Sequence, residues 1–209
     1  HKLGQNYPDW LVIDIDAGED IKNAGQLGFE LIKEVTRETY LIAKDDLHLN
    51  PCIKFSGSRG FQIWITFTEN LGGFDAYRKG VTVIRDLVEN ALKGKYDELK
   101  EKYGSLISDP ITTSTVAKKE KRRKQILLDP SSMKEEGDVR APWSMHHKTG
   151  LVSVPVHYSD LKSFTIESAR VETVLEKLSR LHDAFKLEPS DPSKIIKLIG
   201  KGGLLDFIK

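Results

Sequence analysis

The chain has 209 residues, 30% charged and 39% hydrophobic, with a net charge of +1: room for one sizeable domain plus a small appendage, with ordinary globular composition. The near-neutral balance excludes a generally basic nucleic-acid binder, so any such role must come from local clustering. A single cysteine, Cys52, excludes an internal disulfide and a cysteine-based zinc knuckle, and no apolar run approaches the length of a membrane span. No signal peptide is visible, which makes an intracellular location the expectation. The chain begins His-Lys-Leu rather than Met and reads as an excised domain.

The first element is Trp10-Leu11-Val12-Ile13-Asp14-Ile15-Asp16, a buried strand ending in two acids. Alternation puts Asp14 and Asp16 on one side, about 6–7 Å apart, and Leu11, Ile13 and Ile15 on the other. Two carboxylates so placed can share hard cations. They can equally just solvate the strand end, with Asp20 capping the next helix.

An amphipathic helix is expected over 24–44, stopped by Leu49-Asn50-Pro51. Two strands joined by a tight turn follow over 53–67. In that turn Gly57 and Gly60 permit close backbone approach, and Ser56, Ser58 and Arg59 supply donors suited to a phosphate. An ordinary hairpin with a surface arginine fits the same residues. Gln62, Trp64 and Thr66 share one face of the second strand. Cys52, just before the first, suits a small buried residue better than a nucleophile.

Residues 74–102 read as one long helix or two shorter ones, and 104–117 as an irregular loop. The run Lys-Lys-Glu-Lys-Arg-Arg-Lys at 118–124 is either a solvated face or a phosphate-backbone contact through Lys121, Arg122 and Arg123. Gln125-Ile126-Leu127-Leu128-Asp129-Pro130 is a second apolar strand ending in an acid, and Asp129 becomes a third candidate carboxylate if the strands are neighbours.

The shaped loop at 140–150 gathers Arg140, Ser144, His146, His147 and Lys148, cations beside hydroxyls that suit an anionic substrate. Adjacent strand residues face opposite ways, so His146, His147 and His157 make a poor zinc set. A strand is expected over 151–156, an amphipathic helix over 166–185, a linker over 188–192, a short helix over 193–199 and an apolar tail. The fold class is therefore α+β: a mixed, largely antiparallel sheet carrying the acids, flanked by helices. Residues 1–157 form the core and 158–209 a helical extension.

Three pieces occur in a specific order: Asp14-x-Asp16; Ser56-Gly57-Ser58-Arg59-Gly60-x-Gln62; and Asp129 followed by Arg140-x-Pro142-x-Ser144-x-His146-x-Lys148-Thr149-Gly150-Leu151. Over about residues 9–155 this order resembles the archaeo-eukaryotic primase superfamily, closest to small catalytic primase subunits and primase-polymerases. The resemblance implies a template-dependent nucleotidyltransferase in which Asp14, Asp16 and Asp129 hold two Mg²⁺ or Mn²⁺ ions. Ser56, Ser58, Arg59, Gln62, Arg140, Ser144, His146 and Lys148 would hold the nucleotide. It further implies a single-stranded DNA template, a primer and NTP or dNTP as partners. A regulatory primase subunit, helicase or other replication or repair domain would work beside it, near the nucleoid. The chain departs from the family at Gln62, where a histidine is usual, which implies a weakened nucleotide site; the zinc knuckle of many members is absent. The resemblance leaves two rivals: a catalytically weak nucleotide- or template-binding relative, and an end-joining repair polymerase.

Overall fold

Seven residues with apolar side chains at every odd position make β1 (Leu11–Ala17) the natural middle of a sheet, and it is. The computed structural model describes residues 4–114 and 123–200. Around β1 stand β2 (Cys52–Phe55), β3 (Phe61–Ile65), β4 (Thr112–Thr113), β5 (Ile126–Asp129) and β6 (Pro155–Val156), in the order β4-β5-β1-β3-β2-β6. Every pairing is antiparallel except β4 with β5. The mixed α+β architecture agrees with the expectation.

Period-two alternation divides the sheet. Leu11, Ile13, Ile15, Ile53, Phe55, Phe61, Ile63 and Ile65 lie on one face and are all but inaccessible. Two helices cover that face, α2 (Gly25–Leu41), preceded by the short α1 (Glu19–Asn23), and α3 (Phe74–Gly94). Phe29 of α2 stacks on Phe61 at 5.7 Å. The opposite face carries Asp14, Asp16, Gln62, Trp64 and Lys54.

Several elements differ from the periodicity. The expected helix over 24–44 changes at Ile42 into a π-helical turn, Ile42–Asp46, with Leu47 N–H donating to the Ile42 carbonyl. The wider turn brings Leu47 and Leu49 into the core. Residues 74–102 form two helices, α3 and α4 (Tyr96–Tyr103). The expected loop at 104–117 contains β4, too short to show a period. The Glu89 carboxylate of α3 holds it, accepting from the N–H groups of Ile111 and Thr112 and from the Thr112 hydroxyl.

Of the strand expected over 151–156 only Pro155–Val156 pairs with β2; Val152 bridges Met145 instead. The helix expected over 166–185 is broken into a 3₁₀ turn, α5 (Val171–Glu176), α6 (Leu178–Leu181) and another 3₁₀ turn. Its apolar stripe faces water at Leu175 and Leu178, and the Ala169 carbonyl is taken by the Val152 N–H rather than by a helical partner. The expected linker at 188–192 lies along the end of β3, where Ser190 exchanges backbone bonds with Thr66 and Thr68. Then α7 (Ser193–Gly200) packs on α3, and Phe164, Val174, Ile195 and Leu198 join the buried cluster that includes the sheet. No helix among the described residues is long and apolar enough to cross a membrane.

Candidate active site

Strand register assembles the site. Lys54 pairs with Gln62 across β2–β3, Gln62 with Asp14 across β3–β1, and Asp14 with Asp129 across β1–β5. Directly opposed side chains lie about 5 Å apart at Cβ and on the same face, so these four form one row across the sheet. Asp16 stands two residues further along β1, on that face. The three acids therefore share one end of one face.

Each carboxylate is in a different state. Burial pushes the Asp14 carboxyl up to about 6; the Gln62 amide bond opposes this, and the charges of Asp16 and Asp129 reinforce it. Asp16 accepts from the Ala17 N–H and from the Lys22 ammonium at 2.6 Å. Asp129 accepts from the N–H and hydroxyl of Ser131, both at 2.7 Å. Among the described residues no three His, Cys, Asp or Glu side chains are arranged to hold a metal ion as they stand. The donor chemistry nonetheless suits one: three carboxylates at a sheet end, with Asp14 repelled by its two neighbours, are hard oxygen ligands carrying excess negative charge.

Gln62 is buried, and its amide is oriented from both sides. Its carbonyl accepts the Trp64 indole N–H at 3.2 Å, so its NH₂ faces Asp14 and donates to Oδ1 at 3.1 Å. Gln62 borders the cleft, but its first duty is to orient Asp14.

The cleft above this row has a volume of about 480 Å³. Asp14, Asp16, Ser56, Ser58, Arg59, Gln62, Arg140 and His146 line it, together with Lys22, Ser131, Lys134 and a further carboxylate, Asp138, among others. Asp129, Ser144 and Lys148 are not in the lining. Ser144 turns its hydroxyl to the Ala141 carbonyl at 2.6 Å, and Lys148 is exposed.

The turn between β2 and β3 is shaped from inside. The Ser56 hydroxyl oxygen accepts the N–H groups of Ser58 and Gly60, at 3.3 and 3.2 Å. A Cβ at Gly60 would lie 2.3 Å from the Ile15 carbonyl oxygen, so only glycine lets the turn close against β1. Gly57 has φ 84° and packs under the loop at 140–150, whose Thr149 hydroxyl donates to the Gly57 carbonyl at 2.6 Å. Turn and loop are one unit with the cleft between them. In that loop His146 Nδ1 accepts from the N–H groups of Lys148 and Thr149. Burial and the neighbouring Arg140, His147 and Lys148 hold its pKa below the usual histidine value, leaving Nε2–H as its free donor.

The sequence reasoning missed Lys22, Lys54 and Lys134. Lys54 is fully buried, donates to the Ser153 hydroxyl at 2.8 Å, and lies 5.6 Å from the Trp64 ring centroid. Burial lowers its pKa to about 7, against the pull of Asp14. A lone lysine inside Cys-Ile-Lys-Phe, in a strand otherwise apolar, was the available signal. Cys52 is a buried free thiol pushed up to about 11 by burial, hence inert as a nucleophile. Asp20 caps no helix. It pairs with Arg123 at 2.6 Å, and helix α1 starts after Gly18. Lys121 and Arg122 lie outside the described residues.

A mostly antiparallel sheet flanked by helices, with acids on one strand end facing a glycine-serine turn, is the architecture of the archaeo-eukaryotic primase superfamily. Within it the LigD primase-polymerase domain family matches residues 2–185, and the chain belongs to that family. Among solved structures, the polymerase domain of Mycobacterium tuberculosis Ligase D, in complex with DNA, is similar at 20% identity, with a TM-score of 0.55. The likeness covers 96% of this chain and 55% of that one, so this chain spans about half its length. No curated protein sequence matches the chain.

Proposed function

We propose that this domain is a template-dependent nucleotidyltransferase that adds nucleotides to a 3′-hydroxyl. The observation that carries the reading is the cross-strand register that sets Asp129 opposite Asp14, with Asp16 on the same face, beside a cleft that Arg59, Lys134 and Arg140 also line. Asp14, Asp16 and Asp129 would hold two Mg²⁺ or Mn²⁺ ions, which when bound polarise the 3′-hydroxyl and neutralise charge on the triphosphate and leaving pyrophosphate. Lys22 and Ser131 would surrender their bonds to Asp16 and Asp129 in the loaded site. Gln62 keeps Asp14 aimed at the cleft. Arg59, Arg140, Lys134 and the Nε2–H of His146 surround the space where a triphosphate fits and offer it donors. Ser56 acts indirectly by holding the turn.

Kinship with the polymerase domain of a ligase favours filling and extending DNA ends in repair over replicative priming. Extension of a labelled primer on a gapped template with Mn²⁺, beside primer-free synthesis on single-stranded DNA, separates the two. Extension with little priming is expected. Absence of both products, with nucleotide binding intact, would leave the weak nucleotide-binding relative as the better description.

A further inference from the structure

The loop at 140–148 has two sides. Arg140 and His146 line the cleft. Trp143 and Met145 do not, and they are 38% and 60% exposed. An indole left partly exposed forgoes part of one of the largest apolar burials available to a side chain. Its backbone is also unusual: Trp143 has φ 68°, a left-handed conformation that bulky residues rarely adopt. Such a conformation persists only where the surroundings over-determine it, and it clusters at ligand-binding segments. Here the Trp143 N–H donates to the Ser153 carbonyl and the Ser153 N–H to the Ser144 carbonyl, both at 2.8 Å. Ser153 is itself buried and held by Lys54. The sheet thus fixes the strained backbone that leaves Trp143 partly exposed.

The same loop carries charge. Arg140 lies three residues before it, and His147 and Lys148, both exposed, lie just after. His147 stacks on His146 with ring centroids 5.3 Å apart. We propose that Trp143 is a stacking platform for an unpaired base of a single-stranded nucleic acid whose phosphates pass the cationic rim of this loop. A flat apolar surface beside cations matches the alternation of bases and phosphates along a strand. A free nucleotide is the wrong occupant, because Trp143 lies outside the cleft where a triphosphate fits. An apolar protein segment would use Trp143 and Met145 but leave the cations without a role. The proposal rests on the nucleotidyltransferase reading, which requires a template strand beside the cleft.

The test measures binding of the full chain to a labelled single-stranded oligothymidylate and to an abasic oligomer of the same length, which has the same phosphates and no bases. The wild-type chain should prefer the base-bearing strand by about tenfold. Trp143→Tyr should keep most of that preference. Trp143→Gly, which the left-handed backbone accommodates, should bind both strands equally while its affinity for nucleotide with Mn²⁺ stays unchanged. Equal binding of both strands by the wild-type chain overturns the platform. So does a preference that survives Trp143→Gly, or an equal loss of nucleotide affinity in that variant. A wild-type chain with the strand preference but no nucleotide binding supports the platform and overturns the nucleotidyltransferase reading. One with nucleotide binding and no strand preference does the reverse.

Discussion

The same strands build both faces of the sheet, and the faces do opposite work. On one, Ile53, Ile63 and Ile13 form a cross-strand row at most 1% exposed, pressed against α2 and α3. On the other, one residue along each strand, stand Lys54, Gln62 and Asp14, with Asp129 beyond. The first row lowers the free energy of the fold by leaving water. The second raises it, because a carboxyl and an ammonium are held where burial penalises their charged forms. Adjacent positions in β1 thus divide stability from chemistry, and the apolar row offsets the cost of the charged one.

The sharpest way to test that division is to change neighbouring residues. Asp14→Asn should remove about a thousandfold or more of primer-extension rate, since metal-assisted stabilisation of the transition state amounts to several kcal/mol. The same variant should gain stability. With Asp14 raised to about 6 in the folded chain and at its ordinary value of 3.8 when unfolded, the destabilisation by its buried charge is complete above pH 6 and absent below pH 3.8. The unfolding free energy from denaturant titration should therefore rise at pH 7–8, by up to about 3 kcal/mol, and match the wild type near pH 4. An Asp14→Asn chain less stable at neutral pH would show that Asp14 is structural.

Ile13→Ala, one residue away, should do the reverse. It should cost about 2–5 kcal/mol in denaturant titration while the folded fraction keeps its catalytic rate. A drop in rate per folded molecule would break the separation between faces.

Lys54→Met moves a buried charge on the polar face toward the character of the other face. Lys54 titrates near 7 folded and near 10.5 unfolded, so its burial cost is complete below pH 7 and vanishes as pH rises through 10.5. The variant's unfolding free energy should be higher at pH 6–7, by about 1–3 kcal/mol, with the gain fading toward pH 10. A gain independent of pH would mean that packing, not charge, is responsible.

The smallest effect belongs to Gln62→His. A neutral imidazole can accept from Trp64 on one nitrogen and donate to Asp14 from the other, replacing both bonds of the amide. When protonated it gives up the Trp64 bond, since both nitrogens then donate, and the freed N–H can make a charge-assisted bond near a triphosphate, about 1 kcal/mol better than a neutral one. The nucleotide KM should fall several-fold with the fold intact. A raised KM would show that the pocket is built around the amide.

Much of the site was legible because strand alternation is a local rule. Asp14 and Asp16 on one side, Ile13 and Ile15 on the other, follow from the two-residue period of any strand. The glycine-serine turn and the loop carrying Arg140 and His146 were legible as residue chemistry, and both line the cleft. The helix expected over 166–185 was not, because its stripe at Leu175 and Leu178 meets water and the Ala169 carbonyl is claimed by Val152.

Sequence alone determined which residues on each strand share a face, since that depends only on backbone geometry within the strand. Which strands stand side by side depends on packing between segments far apart in the chain. Only the tertiary structure could therefore set Asp129 opposite Asp14, put Lys54 and Gln62 in their row, tie Lys22 to Asp16, and turn Ser144 and Lys148 away from the cleft. The left-handed backbone at Trp143 belongs to the same class, because bonds to Ser153, ten residues on and buried in the core, hold it there.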